Sequence, residues 1–193
     1  MTNHLHQLET EAAAKLAQTV PRDNVLQFSL VRQVLWGQIA GTKYGPVPAY
    51  SGGGQTGVHT ANLKIKDWAP QKQKSSSGRG GCLVPGWWIV IPEQLAKGHY
   101  SSHLRAGGAP TNMSMRLVPY QLDKAYHDNI RGAFYIHGTG GHGSDGCILI
   151  DPTNRQTLVK LVCSHGGAWL RAFISGQELN EKIEQSIRFG HTA

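Results

Sequence analysis

An eleven-residue polar segment between two short apolar runs constrains this chain more than any other feature. The segment begins at His137 and ends at Cys147, and five of its residues are glycine. The flanking apolar runs, residues 133–136 and 148–150, have the length and composition of β-strands. We therefore expect a histidine and a cysteine at the two ends of one glycine-rich loop between strands.

The loop contains the residue types that acyl transfer needs. A thiol becomes a strong nucleophile when a nearby imidazole takes its proton. In the first apolar run, Tyr135 and His137 alternate with two large apolar residues, which predicts that His137 lies on the opposite face from them. We interpret Cys147 as the nucleophile and His137 as its base.

The glycines around the cysteine allow a substrate to approach the backbone closely. Gly146, directly before Cys147, suits an exposed nucleophile on a tight turn, with the amide groups of residues 145–147 facing a developing oxyanion. The residues that we expect to bind substrate or the oxyanion are Tyr135, Gly138, Ser144, Asp145 and Gly146.

This part of the sequence resembles a known family. Phe-Tyr-Ile-His-Gly at residues 134–138 and Gly-Ser-Asp-Gly-Cys-Ile at residues 143–148 are similar to the active-site motif of L,D-transpeptidase (YkuD-type) domains. The short spacing matches the form found in peptidoglycan-targeting effectors of type VI secretion systems. Asp145 stands where the housekeeping enzymes have a second histidine, and Leu149 and Ile150 stand where an arginine is expected. These departures favour the effector branch of the family.

The resemblance implies an α+β fold, a β-rich catalytic domain built as a mixed sandwich or open barrel with peripheral helices. It also implies a cysteine-dependent L,D-transpeptidase or L,D-carboxypeptidase that exchanges or cleaves the terminal D-amino acid of peptidoglycan stem peptides, with no metal or organic cofactor. Such an antibacterial toxin would be made in the cytoplasm, pass through a secretion-machine component and act in the periplasm of target bacteria. A cognate periplasmic immunity protein would protect the producing cell.

Three alternatives remain open at this point. The loop could be structural in a non-enzymatic cell-wall-binding or adaptor module, or the cysteine could belong to a peptidase that acts on protein. A zinc site is the third alternative, because His137, His142 and Cys147 are possible ligands on one loop. Candidates for a fourth ligand are His59, His127 and His165. The sequence contains neither Cys-x-x-Cys nor His-Glu-x-x-His, which argues against zinc.

Length and charge limit the remaining possibilities. The 193 residues suffice for one domain with a full core, and we divide them into an N-terminal helical segment, residues 1–22, and a catalytic domain, residues 23–193. No apolar run approaches the roughly 18 residues of a membrane span, and residues 1–20 lack the apolar core of a secretory signal. The net charge is +7, but the densest basic stretch, residues 64–79, is poor in aromatics, so we expect no nucleic-acid partner.

Hydrophobic periodicity predicts the other elements. A helix is expected over residues 1–20, ending before Pro21, and residues 24–40 mix strand and helix periods, with strand favoured in the second half. Further predictions are loops over 41–57 and 69–81, strands over 87–91, 113–118 and 168–174, a short helix near 93–96, a helix from Asp151 to about Val162, and a terminal helix over 175–188.

The two cysteines outside the loop are interpreted as structural. Cys163 ends an apolar helical run and is expected in the core, while Cys82 lies at a glycine-flanked turn. Because the chain has three cysteines, a complete disulfide framework is excluded. A Cys82–Cys163 bridge in an oxidising compartment is left open.

Overall fold

The computed structural model describes residues 2–52, 82–94, 113–123, 134–138, 144 and 146–174. These residues form two helices and eight strands. In chain order the elements are α1 (Thr2–Thr19), β1 (Val25–Ser29), β2 (Val34–Ile39), β3 (Thr42–Ser51), β4 (Gly86–Gln94), β5 (Met113–Leu122), β6 (Phe134–Gly138), β7 (Ile148–Ile150), α2 (Pro152–Ser164) and β8 (Ala168–Phe173).

The described strands close into a barrel in the order β1-β2-β3-β7-β6-β5-β4-β8. Strand β6 is parallel to β7, and β8 is parallel to β1, while the other neighbours are antiparallel. The predicted α+β class, with a β-rich domain and peripheral helices, is confirmed. The mixed sheet closes on itself because β8 pairs with both β4 and β1, so the barrel is closed rather than open.

Side chains that point into the barrel form a continuous apolar core. Alternate strand residues such as Phe28, Trp88 and Ile136 are completely buried, as the period of a strand requires. The Trp88 ring packs edge-on against Phe134, with ring centroids 5.1 Å apart. Its indole N–H donates to the carbonyl of Val84 at 2.9 Å, which satisfies the buried donor. Strand β6 is therefore fixed by its inward face.

Helix α2 is fastened to the barrel just after β7. Asp151 caps the helix by accepting the N–H groups of Thr153 and Asn154, and Pro152 occupies the first turn, as predicted. Tyr44 of β3 donates its hydroxyl hydrogen to the Asn154 carbonyl at 3.2 Å. The apolar residues that α2 adds to the core are Leu158, Val159 and Val162. The C-terminal end of β7 is thus held by tertiary contacts.

Helix α1 lies on the outside of the barrel. It ends at Thr19, before Pro21, so the predicted N-terminal helix is confirmed. Leu16 in its last turns packs against an outer cluster that contains Trp87 and Trp169. Among the residues that the structure describes, no helix is both long and apolar enough for a membrane crossing.

Several local predictions need correction. Residues 42–51, expected as part of a loop, form β3, and residues 24–40 form β1 and β2. Pro48 of β3 pairs with Val34, and the β2–β3 register shifts between Leu35 and Gly37. A proline has no backbone N–H to donate, and an irregularity of this kind allows prolines within a strand. Glu93 continues β4, where a short helix was expected. Residues 53–57 and 95–96 of these predictions, the predicted loop over 69–81 and the predicted terminal helix lie outside the described residues.

Candidate active site

The two ends of the glycine-rich loop lie on neighbouring strands. Strands β6 and β7 run parallel, with Ile136 opposite Ile148 and Gly138 opposite Ile150. His137 is therefore part of β6, and Cys147 directly precedes β7. This pairing brings the segment with the imidazole and the segment with the thiol side by side.

His137 and Cys147 both lie on the outer face of the barrel. Ile136 and Ile148 point into the interior cluster, so the residues next to them point outward. Cys147 packs against Tyr135, which is level with it on β6, and His137 lies one outward position farther along. A strand spacing of about 4.8 Å and a rise of about 3.3 Å per residue place the two Cα atoms roughly 8 Å apart. At that separation the imidazole and the thiol are within reach of each other.

The backbone selects the tautomer of His137. Its Nδ1 atom lies 2.9 Å from the carbonyl oxygen of Gly138. A carbonyl oxygen only accepts, so Nδ1 carries the hydrogen and the neutral ring has its lone pair on Nε2. The half-buried imidazole is thus oriented as a proton acceptor through Nε2.

Ser144 holds the backbone of the cysteine. Its hydroxyl donates to the Cys147 carbonyl at 2.7 Å and accepts the Gly52 N–H at 3.1 Å. The Ser144 N–H also donates to the Gly52 carbonyl at 2.7 Å. Ser144 is buried, and these contacts tie the residues before β7 to the end of β3. Ser144 therefore supports the backbone at Cys147, and its contact with substrate stays a prediction.

A second set of contacts holds Gly146. Its backbone has a φ of +110°, a conformation that L side chains rarely adopt. Its carbonyl accepts the Ser51 hydroxyl hydrogen at 3.2 Å, and the same hydroxyl accepts the Leu83 N–H at 2.8 Å. The turn before Cys147 is therefore fixed to β3 and to the segment that leads into β4.

Tyr135 lies beside the thiol in a charged neighbourhood. Burial, followed by interaction with the Glu93 carboxylate, raises the pKa of Tyr135 to about 12, and the Arg116 guanidinium acts in the opposite direction. Arg116 is the direct cross-strand partner of Tyr135, and its Nη1 lies 3.3 Å from Oε1 of Glu93. At neutral pH the phenol is protonated and interacts as a hydrogen-bond donor with the Glu93 carboxylate.

Sequence reasoning missed Ser51, Glu93 and Arg116. Ser51 was included in the predicted loop over 41–57, although it ends β3 and is 1% exposed. Glu93 and Arg116 occupy outward positions of β4 and β5, and their proximity to Tyr135 follows from the strand order. The alternation of β5 would have placed Arg116 on the outer face, but no sequence signal puts β5 next to β6.

Part of the predicted site lies outside the described residues, namely Asp145 and His142, as do His59 and His127. Gly138 ends β6 and is buried. His165 lies at the C-terminal cap of α2, with Nδ1 3.0 Å from the Leu161 carbonyl. Within the described parts of the chain, no group of three or more His, Cys, Asp or Glu side chains could hold a metal ion.

The other two cysteines are parts of the core. Cys82 is completely buried in the interior cluster, and Cys163 packs against the same cluster from α2. Burial raises the pKa of the Cys163 thiol, which disfavours its thiolate. All three cysteines are thiols in the structure. The structural interpretation of Cys82 and Cys163 agrees with these positions.

No family model matches this chain, and no curated protein matches it. Among solved structures it is similar to L,D-transpeptidase 1 of Mycobacterium tuberculosis, with 13% identity and a TM-score of 0.39 over 77% of this chain and 60% of that one. A Bdellovibrio bacteriovorus protein has 11% identity and a TM-score of 0.45, with 86% of this chain and 53% of that protein covered. An L,D-transpeptidase of Stackebrandtia nassauensis has 16% identity and a TM-score of 0.40, with 86% of this chain and 67% of that protein covered. The chain thus spans about 53 to 67% of the length of these proteins. All three TM-scores are below 0.5.

Proposed function

We propose that this protein is a cysteine-dependent L,D-transpeptidase or L,D-carboxypeptidase that acts on peptidoglycan stem peptides. The observation that supports this function best is the placement of His137 and Cys147 on one outward face of two adjacent parallel strands. The hydrogen bond from His137 Nδ1 to the Gly138 carbonyl adds to it, because it leaves the lone pair on Nε2. The motif around the loop resembles that of the same enzyme class.

In the proposed reaction, His137 Nε2 takes the proton of Cys147, and the thiolate attacks the carbonyl of the residue before the terminal D-amino acid. The tetrahedral oxyanion is stabilised by backbone N–H groups of residues 145–147. The C–N bond then breaks, the leaving amine takes the proton back from the imidazolium, and a thioester forms on Cys147. Attack by water gives net hydrolysis, whereas attack by the amine of another D-amino acid gives exchange.

The rigid supports around the cysteine favour this proposal over a purely structural loop. Two buried serine hydroxyls hold the carbonyls of Gly146 and Cys147, and a positive φ at Gly146 positions the cysteine directly after it. A fixed nucleophile with an oriented base is what acyl transfer requires. A non-enzymatic wall-binding or adaptor module has no need for the oriented imidazole. A cysteine peptidase acting on protein shares the geometry and is separated by its substrate.

We further propose that the enzyme is an antibacterial effector of the type VI kind, which acts in the periplasm of target bacteria. This rests on the resemblance of the loop, with Asp145 in place of the expected histidine and Leu149 and Ile150 where an arginine is expected. The immunity protein would cover the outer face around Cys147, because one well-packed contact patch suffices to block a nucleophile. A secretion-machine component would load the protein.

Mass spectrometry of purified muropeptides after incubation with the protein tests the activity. Loss of a single terminal residue from tetrapeptide stems, or its replacement by an added D-amino acid, is expected for the unmodified protein and is abolished by Cys147→Ala. The matched control is Cys163→Ala, which should retain activity and lose some stability because a partly buried side chain is shortened. Unchanged muropeptides together with cleavage of a denatured protein substrate would select the peptidase instead.

A further inference from the structure

The hydroxyl of Ser51 is bonded to the peptide group that precedes the proposed nucleophile. It donates to the Gly146 carbonyl at 3.2 Å and accepts the Leu83 N–H at 2.8 Å. The C=O of Gly146 and the N–H of Cys147 belong to one planar peptide group. The chain of hydrogen bonds therefore runs from the Leu83 N–H through the Ser51 hydroxyl to the peptide group from which Cys147 donates.

The geometry of this peptide group determines where the Cys147 N–H points. The Gly146–Cys147 bond is trans, and in a trans peptide the C=O and N–H bonds point in opposite directions. The carbonyl points toward Ser51 at the end of β3. Because β7 lies between β3 and β6, the N–H points away from β3, toward the side of the strand that carries His137.

Burial strengthens the effect of the hydroxyl on the peptide group. Ser51 is 1% exposed and Leu83 is completely buried, so bulk water does not compete for these hydrogen bonds. Linked hydrogen bonds polarise one another, and each is stronger in a low dielectric. Because the Leu83 N–H occupies a lone pair of the hydroxyl oxygen, the hydroxyl hydrogen is directed to the Gly146 carbonyl.

We propose that Ser51 is a positioning residue for the oxyanion, whose hydroxyl orients and polarises the Gly146–Cys147 peptide group so that the Cys147 N–H donates more strongly. This rests on the proposed function. When the thiolate sulfur bonds to the substrate carbonyl carbon, the π electron pair moves to the oxygen, and the N–H stabilises that charge without transferring its proton. A second oxyanion forms when water or an amine attacks the thioester, so Ser51 contributes to both steps.

Ser29 offers a matched control for a purely structural serine. It ends β1 as Ser51 ends β3, it is completely buried, and its hydroxyl accepts the Arg32 N–H at 3.1 Å. Strand β1 pairs with β2 and β8, so it is not a neighbour of β6 or β7. Ser29→Ala therefore removes a buried hydroxyl at a strand end away from the candidate site.

Two reactions of the same thiol separate the oxyanion role from placement of the thiol. Turnover of a tetrapeptide stem passes through an oxyanion, whereas alkylation by iodoacetamide displaces iodide from a saturated carbon and forms none. We expect Ser51→Ala to lower kcat about 10- to 100-fold, less than the roughly 10²- to 10³-fold cost of deleting an oxyanion donor. KM should stay unchanged because acylation and deacylation are slowed alike, and the alkylation rate of Cys147 should stay unchanged as well.

Mass spectrometry measures both rates, from released D-amino acid and from the alkylated peptide that contains Cys147. Ser29→Ala should leave both rates unchanged, and Ser51→Thr, which retains a hydroxyl, should restore most of kcat. If thermal melting shows that Ser51→Ala is unfolded, Ser51→Thr is compared with Ser51→Val, since threonine and valine have nearly the same shape and differ in the hydroxyl. The valine variant should then have the lower kcat by the same factor.

The outcomes separate this role from the reaction itself. Unchanged kcat in folded Ser51→Ala, kcat of Ser51→Thr as low as that of the variant without a hydroxyl, or equal losses in turnover and alkylation would overturn the oxyanion role and leave the proposed function standing. Absence of stem turnover by the unmodified protein would overturn the proposed function and this role together.

Discussion

The hydrogen bond between His137 and the Gly138 carbonyl determines which ring nitrogen can act as a base. In the proposed mechanism, replacing His137 by alanine removes the group that takes the thiol proton. We therefore predict that His137→Ala lowers the rate on tetrapeptide stems by about two to four orders of magnitude. The rate is measured by mass spectrometry of released D-amino acid. His142→Ala is the control from the same loop and should have a far smaller effect.

The same pair of variants tests the zinc alternative. If His137, His142 and Cys147 held a metal, both histidine variants would be equally damaging and a chelator would inhibit. The proposed thiol mechanism predicts activity that survives chelation and is lost on alkylation of the thiol. Equal losses together with chelator inhibition would decide for zinc.

Tyr135 gives a prediction for alkaline pH. Its pKa is raised to about 12 in the folded protein, by burial and then by Glu93, against about 10 in an unfolded chain. Between these values the unfolded state releases a proton that the folded state keeps, so the free energy of unfolding falls as pH rises from 10 to 12. Denaturant titrations of Tyr135→Phe should show a shallower fall over that range than the unmodified protein. Parallel curves would contradict the environment assigned to Tyr135.

For individual residues of the candidate site, the sequence predicts the outward direction of His137 but not which charged residues lie near it. The alternation of His137 and Tyr135 with Phe134 and Ile136 follows from the period of a strand, and the core confirms it. Glu93 and Arg116 lie near the site because β4, β5 and β6 are neighbours in the barrel. A local sequence pattern does not determine which strands are neighbours.

Among the elements, the turn into β7 is the one on which the site depends most. Gly146 has a φ of +110° and Gly166, after α2, has a φ of +72°. We predict that Gly146→Ala and Gly166→Ala each lower the free energy of unfolding by about 1–3 kcal/mol, because alanine is strained at positive φ. Denaturant unfolding measures this loss.

Activity distinguishes the two glycines. Gly146 immediately precedes the proposed nucleophile, Cys147, whereas a Cβ on Gly166 would meet no atom within 4 Å. Only Gly146→Ala should reduce kcat/KM on tetrapeptide stems. Full activity of folded Gly146→Ala would mean that this turn does not position Cys147.

The strands show why some elements escape prediction. Strong alternation identified β4, β5 and β8, and the Asp-Pro start identified α2. Strand β3 was missed because Pro46, Pro48 and Gly45 are typical of loops, yet the residues on both sides of Gly45 and Pro46 pair with β2 and β7. Tertiary pairing overrides local propensity there. Ser51, which supports the candidate site, was not predicted because it belongs to that strand.

For the whole molecule, the described strands form a closed barrel that carries the candidate site on its outer face, and we propose that the protein acts in the bacterial periplasm. We predict that the chain is harmless when expressed in the cytoplasm and toxic when an export signal is added, because stem peptides lie outside the inner membrane. Growth and cell shape are followed in both cases, and Cys147→Ala should relieve the toxicity. Toxicity confined to the cytoplasmic form would rule out the wall-targeting role.

In the proposed mechanism, Cys147 carries the acyl group of a stem peptide as a thioester. Intact-protein mass spectrometry of samples quenched during turnover of a tetrapeptide stem detects this intermediate. We expect an adduct with the mass of the stem without its terminal D-amino acid, mapped by proteolysis to the peptide containing Cys147 and absent from Cys147→Ser. Turnover of the stem with no thiol-bound adduct in any quenched sample, or at an undiminished rate in Cys147→Ser, would contradict it.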